Sequence, residues 1–223
     1  MKSQIRSYTV AERNAGDAVS MAQTAEGALG EVHEILGRMR ELAMQSSNGG
    51  LTSTDRGYIN TEFGSLQAEV TRIQSSAKFN GNKLVNSTAS TITFQVGLNN
   101  TASDKISVTF GGVGFTTLLA STTVLSGAGA TASLTALGRI DSAIATTSGA
   151  RSKFGSAMNR LQVATNNIQT MRLNLSGANS RIRDVDVADE TSKMSRNQVL
   201  SQAGISVLAQ ANQLPQLAFG LIG

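Results

Sequence analysis

Small and apolar residues recur every three or four positions from the start of the chain. Tyr8, Ala11, Ala15, Ala18, Ala22, Ala25, Leu29, Val32, Leu36, Met39 and Ala43 form one unbroken stripe. That spacing keeps a single helix face on one partner seam, and its alanine-rich half lets a partner backbone come close. The pattern predicts a helix of about 40 residues, ~60 Å long. Ser46, Ser47, Asn48, Gly49 and Gly50 supply its stop. A second stripe, Ile59, Phe63, Leu66, Val70, Ile73 and Ala77, follows Thr54 as its expected N-cap. A short polar link between two such helices predicts an antiparallel hairpin. The cluster Asn80, Gly81 and Asn82 ends it in a turn.

The period then changes. Thr91 to Val96 and Lys105 to Phe110 alternate and are β-branched, so both are predicted as strands, joined through Gly97 to Asp104. Gly111, Gly112 and Gly114 break the second strand. From Thr116 to Thr135, nine of 20 residues are Ser or Thr, which predicts a loose, solvated tip. The helical period resumes with Leu137, Ile140, Ile144, Phe154, Met158, Leu161, Ile168, Leu175 and Ile182. Thr147, Arg151, Thr165, Arg172 and Asn179 interrupt that stripe. A last helical segment, from about Ala188 to Ala211, carries Val199, Ala203, Ile205, Val207 and Leu208, and Pro215 is expected to end or kink it.

The predicted fold is therefore mainly α: a long antiparallel helical bundle or coiled-coil rod with a small β-hairpin region in the middle. It divides into a helical hairpin over 1–86, a short β region over 87–133, a rod helix over 134–187 and a terminal helix over 188–223. Leu29, Val32, Leu36, Ile73, Leu161 and Ile168 are the expected core, with Val199 and Leu208 buried on assembly. From Asn197 onward the chain has no charged residue but carries Gln198, Gln202, Gln210, Gln213 and Gln216. A surface helix normally has a charged face. This one is expected to find its partner outside its own chain and to order on pairing.

Composition narrows the function. Of the 223 residues, 27 are Ala, 22 Gly and one Pro, with aromatics at 4%, which suits long, closely packed helices. Without cysteine there is no disulfide, thiolate metal site or thiol chemistry. The net charge is 19 − 15 = +4, and the cations are scattered, so nucleic acid is not an expected partner. Lys2, Arg6, Glu12 and Arg13 interrupt any signal-peptide core. The uncharged stretches are too rich in Ser, Thr, Gly and Gln for membrane insertion.

Candidate chemistry is sparse. His33-Glu34 opens like H-E-x-x-H, but Gly37 stands where the second histidine belongs. Gly111, Gly112 and Gly114 are followed by no G-K-[ST]. Asp184, Asp186, Asp189 and Glu190 cluster where a helix dipole favours negative charge. No nucleophile, base and oxyanion set stands out, so no enzyme, metal or cofactor is expected. There is no Trp, and only Tyr8 and Tyr58, to build a sugar-binding platform.

Longer motifs point to a family. Ser20 to Leu29 reads S-M-A-Q-T-A-E-G-A-L, and Arg38 to Gln45 reads R-M-R-E-L-A-M-Q. Lys78 to Leu84 reads K-F-N-G-N-K-L, with F-Q-V-G from Phe94. Ser180 onward reads S-R-I-R-D-V-D-V-A-D-E-T, and Gln210 onward Q-A-N-Q-L-P-Q-L-A. Together, over residues 1–96 and about 134–223, these resemble bacterial flagellin, the subunit of the flagellar filament.

The resemblance implies an extracellular homopolymer used for motility, exported unfolded through the flagellar type III channel. It implies an export chaperone at the C-terminal helix. It also implies an animal Toll-like receptor that reads Arg38, Leu42 and Glu62, with Arg38 and Leu42 one turn apart on one face. Gly37 stands where the family pattern usually has Gln. Flagellins begin with a further N-terminal helix, so this chain is expected to start inside the next one and not to form native filaments alone. That further helix would be the natural partner of the segment from Asn197. The short middle implies loss of the outer variable domains; Thr116 to Thr135 is expected to be an unmodified flexible loop, with an exposed surface carrying O-linked sugars, as on some flagellins, the alternative. The alternatives are a cell-surface homologue acting as an adhesin or glycan-binding module, and a hook–filament junction protein.

Overall fold

The computed structural model describes residues 1–115, 118–120, 123–125, 130–184 and 186–220, and for 212–220 the backbone course alone. Its elements are α1 (Lys2–Ser46), α2 (Ser53–Ser76), β1 (Lys78–Phe79), β2 (Asn82–Lys83), β3 (Ser90–Gln95), β4 (Lys105–Phe110), α3 (Thr131–Arg183) and α4 (Val187–Gly220). They fall into two compact units, Met1–Asn174 and Leu175–Gly223.

In the first unit the stripe of α1 is the spine of the core. Ala11, Ala15, Ala18, Ala22, Ala25, Leu29, Val32, Leu36, Met39 and Ala43 are all buried, joined by Met21, Leu42 and Ser46. α2 contributes Phe63, Val70 and Ile73. From α3 come Ala136, Ile140, Ala143, Phe154, Ala157, Leu161 and Ile168. The α3 stripe thus runs through Ala136, Ala143 and Ala157, whereas Leu137 and Ile144, one place later, are only half-buried. Three ion pairs fix α1 against α3 in antiparallel register: Glu12–Arg172 at 3.5 Å, Glu26–Arg151 at 2.8 Å and Arg40–Asp141 at 2.8 Å.

α2 begins two residues earlier than the sequence suggests. Thr52, not Thr54, is the N-cap: its hydroxyl accepts from the Asp55 amide at 3.2 Å, and the Asp55 carboxylate accepts from the Thr52 amide at 3.1 Å. This reciprocal pairing satisfies two otherwise orphaned donors. Arg56, only 5% exposed, donates to the carbonyls of Ser46 and Asn48 at 2.9 and 2.8 Å and so closes the C-terminal end of α1.

β1 and β2 form a hairpin around Asn80 and Gly81, whose φ angles of 47° and 82° suit a two-residue turn matched to strand twist. β3 and β4 pair antiparallel from Ser90↔Phe110 to Gln95↔Lys105. Their inner residues, Ile106, Val108 and Phe110, face the core, and Phe110 stacks on Phe154 with ring centroids 5.5 Å apart. Gly111 has φ 71°, and a Cβ there would lie 2.1 Å from the Asn86 Oδ1 and 2.2 Å from the Thr88 carbonyl.

The expected solvated tip is corrected here. Leu118, Thr123, Leu125 and Ser133 are buried, and α3 starts already at Thr131. The cause lies on α2, where Asn60, Gln67 and Gln74 stand one heptad apart. Gln74 donates to the Val113 carbonyl at 3.0 Å, and Gln67 to those of Leu118 and Thr123 at 2.7 and 3.2 Å. Asn60 accepts from the Leu125 amide at 2.8 Å. These amides pair the backbone of a crossing strap and let its leucines reach the core. Residues 116, 117, 121, 122 and 126–129 lie outside the described residues.

In the second unit α4 runs as helix from Val187 to Gly220, so Pro215 does not end it. Asp186 accepts from the Ala188 amide at 2.9 Å and caps its start, and Lys193 pairs with Asp189 at 2.6 Å. No helix among the described residues is long and apolar enough to cross a membrane.

Candidate functional site

Arg38 and Glu62 meet across the α1–α2 hairpin. Arg38 Nε and Nη2 reach Glu62 Oε1 at 2.9 and 2.8 Å, and its Nη1 reaches Glu41 Oε2 at 2.9 Å. All three side chains stay accessible to solvent. The hydrogen bond to Glu41, then that to Glu62, raises the Arg38 pKa above its ordinary value. The physical effect is positional: a planar donor set is held between two carboxylates on an open surface.

Leu42 does not join them. It is 1% exposed and belongs to the core. A step of four residues overshoots one helical turn by about 40°, which carries Leu42 from the flank of Arg38 into the stripe of Met39, Ala43 and Ser46. Shared spacing placed the two residues on one face, but the width of the buried face decides which of them water reaches. Leu29, Val32, Leu36, Ile73, Leu161 and Ile168 are all buried in the first unit. Val199 and Leu208 are 64% and 65% exposed, so neither lies in a core of this chain. Leu200, Ile205 and Val207 share that exposure.

Sequence reasoning missed Arg56 and the Asn60, Gln67 and Gln74 series. A heptad-spaced row of amides on a helix is a signal visible in the sequence, whereas nothing near Arg56 announces that a guanidinium is buried there.

Long helices whose described surfaces offer ion pairs and unpartnered apolar side chains define a structural protein that works by helix association. Two family models match the chain, the bacterial flagellin N-terminal helical region over residues 1–90 and the C-terminal helical region over 137–222. A flagellin of Halalkalibacterium halodurans is 40% identical over the whole chain and 81% of its own length. A flagellar filament core protein of Brachyspira hyodysenteriae is 35% identical over the whole chain and 82% of its own length. The crystal structure of Bacillus cereus flagellin superposes with a TM-score of 0.60 at 31% identity, covering 75% of this chain and 94% of that one. The chain belongs to the bacterial flagellin family. It is a structural subunit of the flagellar filament and acts outside the cell.

Proposed function

We propose that this subunit polymerises through α4, whose apolar side chains find helical partners in other chains of the filament, and that it has no catalytic role. The observation that carries this reading is the row Val199, Leu200, Ile205, Val207 and Leu208, exposed along a helix that has no charged residue after Arg196. Apolar surface of this extent normally marks an interaction site. A labelled chain added to flagellin filament seeds is expected to incorporate. An Ile205→Asp/Leu208→Asp variant, with unchanged circular dichroism of the α1–α3 unit, is expected not to. Equal incorporation of both would remove α4 as the assembly element. The same apolar helix suits an export chaperone, which would have to release it before polymerisation.

A second reading concerns host recognition. Arg38, anchored by Glu62 and Glu41, is an exposed, oriented guanidinium of the kind that forms interface hot spots. It supports recognition of this face by a Toll-like receptor, with Glu62 as the adjacent acidic contact. Leu42 would then act by supporting α1 from beneath. Arg38→Ala is expected to lower signalling in a receptor-reporter assay by tenfold or more while leaving the thermal midpoint in place. Signalling equal to the parent chain would exclude Arg38 as the anchor.

A further inference from the structure

The link between α1 and α2 brings a reactive pair of residues together with the groups that activate it. Asn48 and Gly49 are both exposed there. The chain holds two Asn-Gly steps, this one and Asn80-Gly81. In such a step the glycine amide nitrogen is the nucleophile closest to the asparagine side-chain carbon, Cγ. A glycine presents no Cβ to obstruct the approach, and nothing lies within 4 Å of where a Gly49 Cβ would sit.

The fold adds donors on both sides of this nitrogen. The Gly50 amide donates to Asn48 Oδ1 at 3.1 Å. By this bond an asparagine side chain mimics a backbone turn, and the ring it closes folds the side chain back over the Gly49 nitrogen. A donor aimed at Oδ1 also stabilises the negative charge that attack on Cγ places on that oxygen. The Asn48 carbonyl accepts from Arg56 Nη2 at 2.8 Å and from the Leu51 amide at 3.3 Å. That carbonyl and the Gly49 N–H belong to one peptide unit. A fixed guanidinium on the oxygen draws electron density from the nitrogen and eases loss of its proton. The Gly49 N–H makes no hydrogen bond among the described residues, so none has to break.

Asn80 provides the contrast. It is exposed too, but it sits at φ 47° in the β1–β2 turn, closed by the pairs Phe79↔Asn82 and Lys78↔Lys83. Among the described residues its side chain makes no hydrogen bond, and no side chain donates to its carbonyl.

We propose that Asn48 is a self-modification site, which the folded α1–α2 link converts to aspartate and isoaspartate. The Gly49 N–H gives its proton to a solvent base, and the nitrogen lone pair attacks Asn48 Cγ. The N–Cγ bond forms, the Cγ–Nδ2 bond breaks, and Nδ2 leaves as ammonia with a proton from water. Water then opens the five-membered imide at either carbonyl. One opening restores the ordinary peptide bond beside an aspartate. The other routes the chain through Cγ as isoaspartate and lengthens the link by one backbone atom. In sum one water enters and one ammonia leaves, with no change of oxidation state. Each event lowers the net charge from +4 to +3, since 4 − 1 = 3. The new carboxylate lies beside Arg56 at the C-terminal end of α1, where negative charge opposes the helix dipole. The site thereby records the age of a chain, and it does so in the isolated chain, independently of the filament reading.

The test incubates the full-length chain in mildly alkaline buffer, native and in concentrated guanidinium chloride. Peptide mass mapping follows both Asn-Gly steps, and labelling by an isoaspartyl methyltransferase counts isoaspartate. The expected result is a native-to-denatured rate ratio several times larger for Asn48 than for Asn80. Gly50→Pro removes the donor to Oδ1. With the circular dichroism of the helices unchanged, it is expected to slow Asn48 severalfold in the native chain and to leave Asn80 as it was. Equal ratios at the two steps, or a larger one at Asn80, would overturn the proposal, since the fold then contributes nothing. A native Gly50→Pro chain that modifies Asn48 at the parent rate would overturn it as well.

Discussion

At Leu161 the size and shape of a single side chain decide how well α3 seats in the bundle. It is fully buried in the common core to which α1, α2, β4 and α3 all contribute. Truncation to alanine removes that contact area and leaves a cavity that the three long helices cannot readily collapse. Leu161→Ala is expected to cost about 2–5 kcal/mol, lowering the thermal midpoint by roughly 4–20 °C for a chain of this size. Differential scanning calorimetry checks this, and an unchanged midpoint would place Leu161 outside the core. Arg56 shows the opposite economy, since its value lies in a charge brought inward. Its guanidinium meets the carbonyls of Ser46 and Asn48, where the end of α1 would otherwise leave acceptors unmatched.

At the scale of elements, the helix ends and the strap decide where the pieces stop. The Thr52 hydroxyl, then the Thr52 amide, holds the Asp55 carboxyl below its ordinary pKa. The sign follows directly. A folded pKa below the unfolded one means the cap stabilises at pH values above the ordinary aspartate range near 3.9. That contribution is lost as pH falls through the lower folded value. Amide exchange in the first turn of α2 is therefore expected to quicken selectively below about pH 4, and Asp55→Asn to flatten that dependence. If the parent and Asp55→Asn chains show the same pH profile there, the capping box does not hold this end. The strap over α2 follows a similar logic, because each amide of Asn60, Gln67 and Gln74 matches a backbone group on a segment that has no strand partner.

Across the whole molecule, burial is uneven. The Met1–Asn174 unit holds the core, whereas the described side chains of α4 are exposed. Hydrogen exchange in the isolated chain is therefore expected to be slow along the buried stretch of α1 and faster by orders of magnitude over 197–220, since local stability follows buried contacts. On incorporation into filaments, exchange over 197–220 should slow to the level of α1. Slow exchange there in the dilute free chain would mean that α4 is stable without partners.

Periodicity alone located the helices, the two longer strands and the buried stripe of α1, because a helix with one buried face writes that face into every third or fourth residue. The same pattern put Leu161 and Ile168 in the core, and the motif strings identified the family. Tertiary structure decided what periodicity averages over. Leu42 is buried because the covered face of α1 is wider there than a single stripe. Leu118, Thr123 and Leu125 of the Ser/Thr-rich strap are buried because side chains on α2, distant in sequence, satisfy its backbone. The phase of α3 falls on Ala136, Ala143 and Ala157 because small residues let the helices approach, a choice invisible until the partner is in place. Arg38 and Glu62 form a pair only because the hairpin folds them together, since 24 residues separate them along the chain.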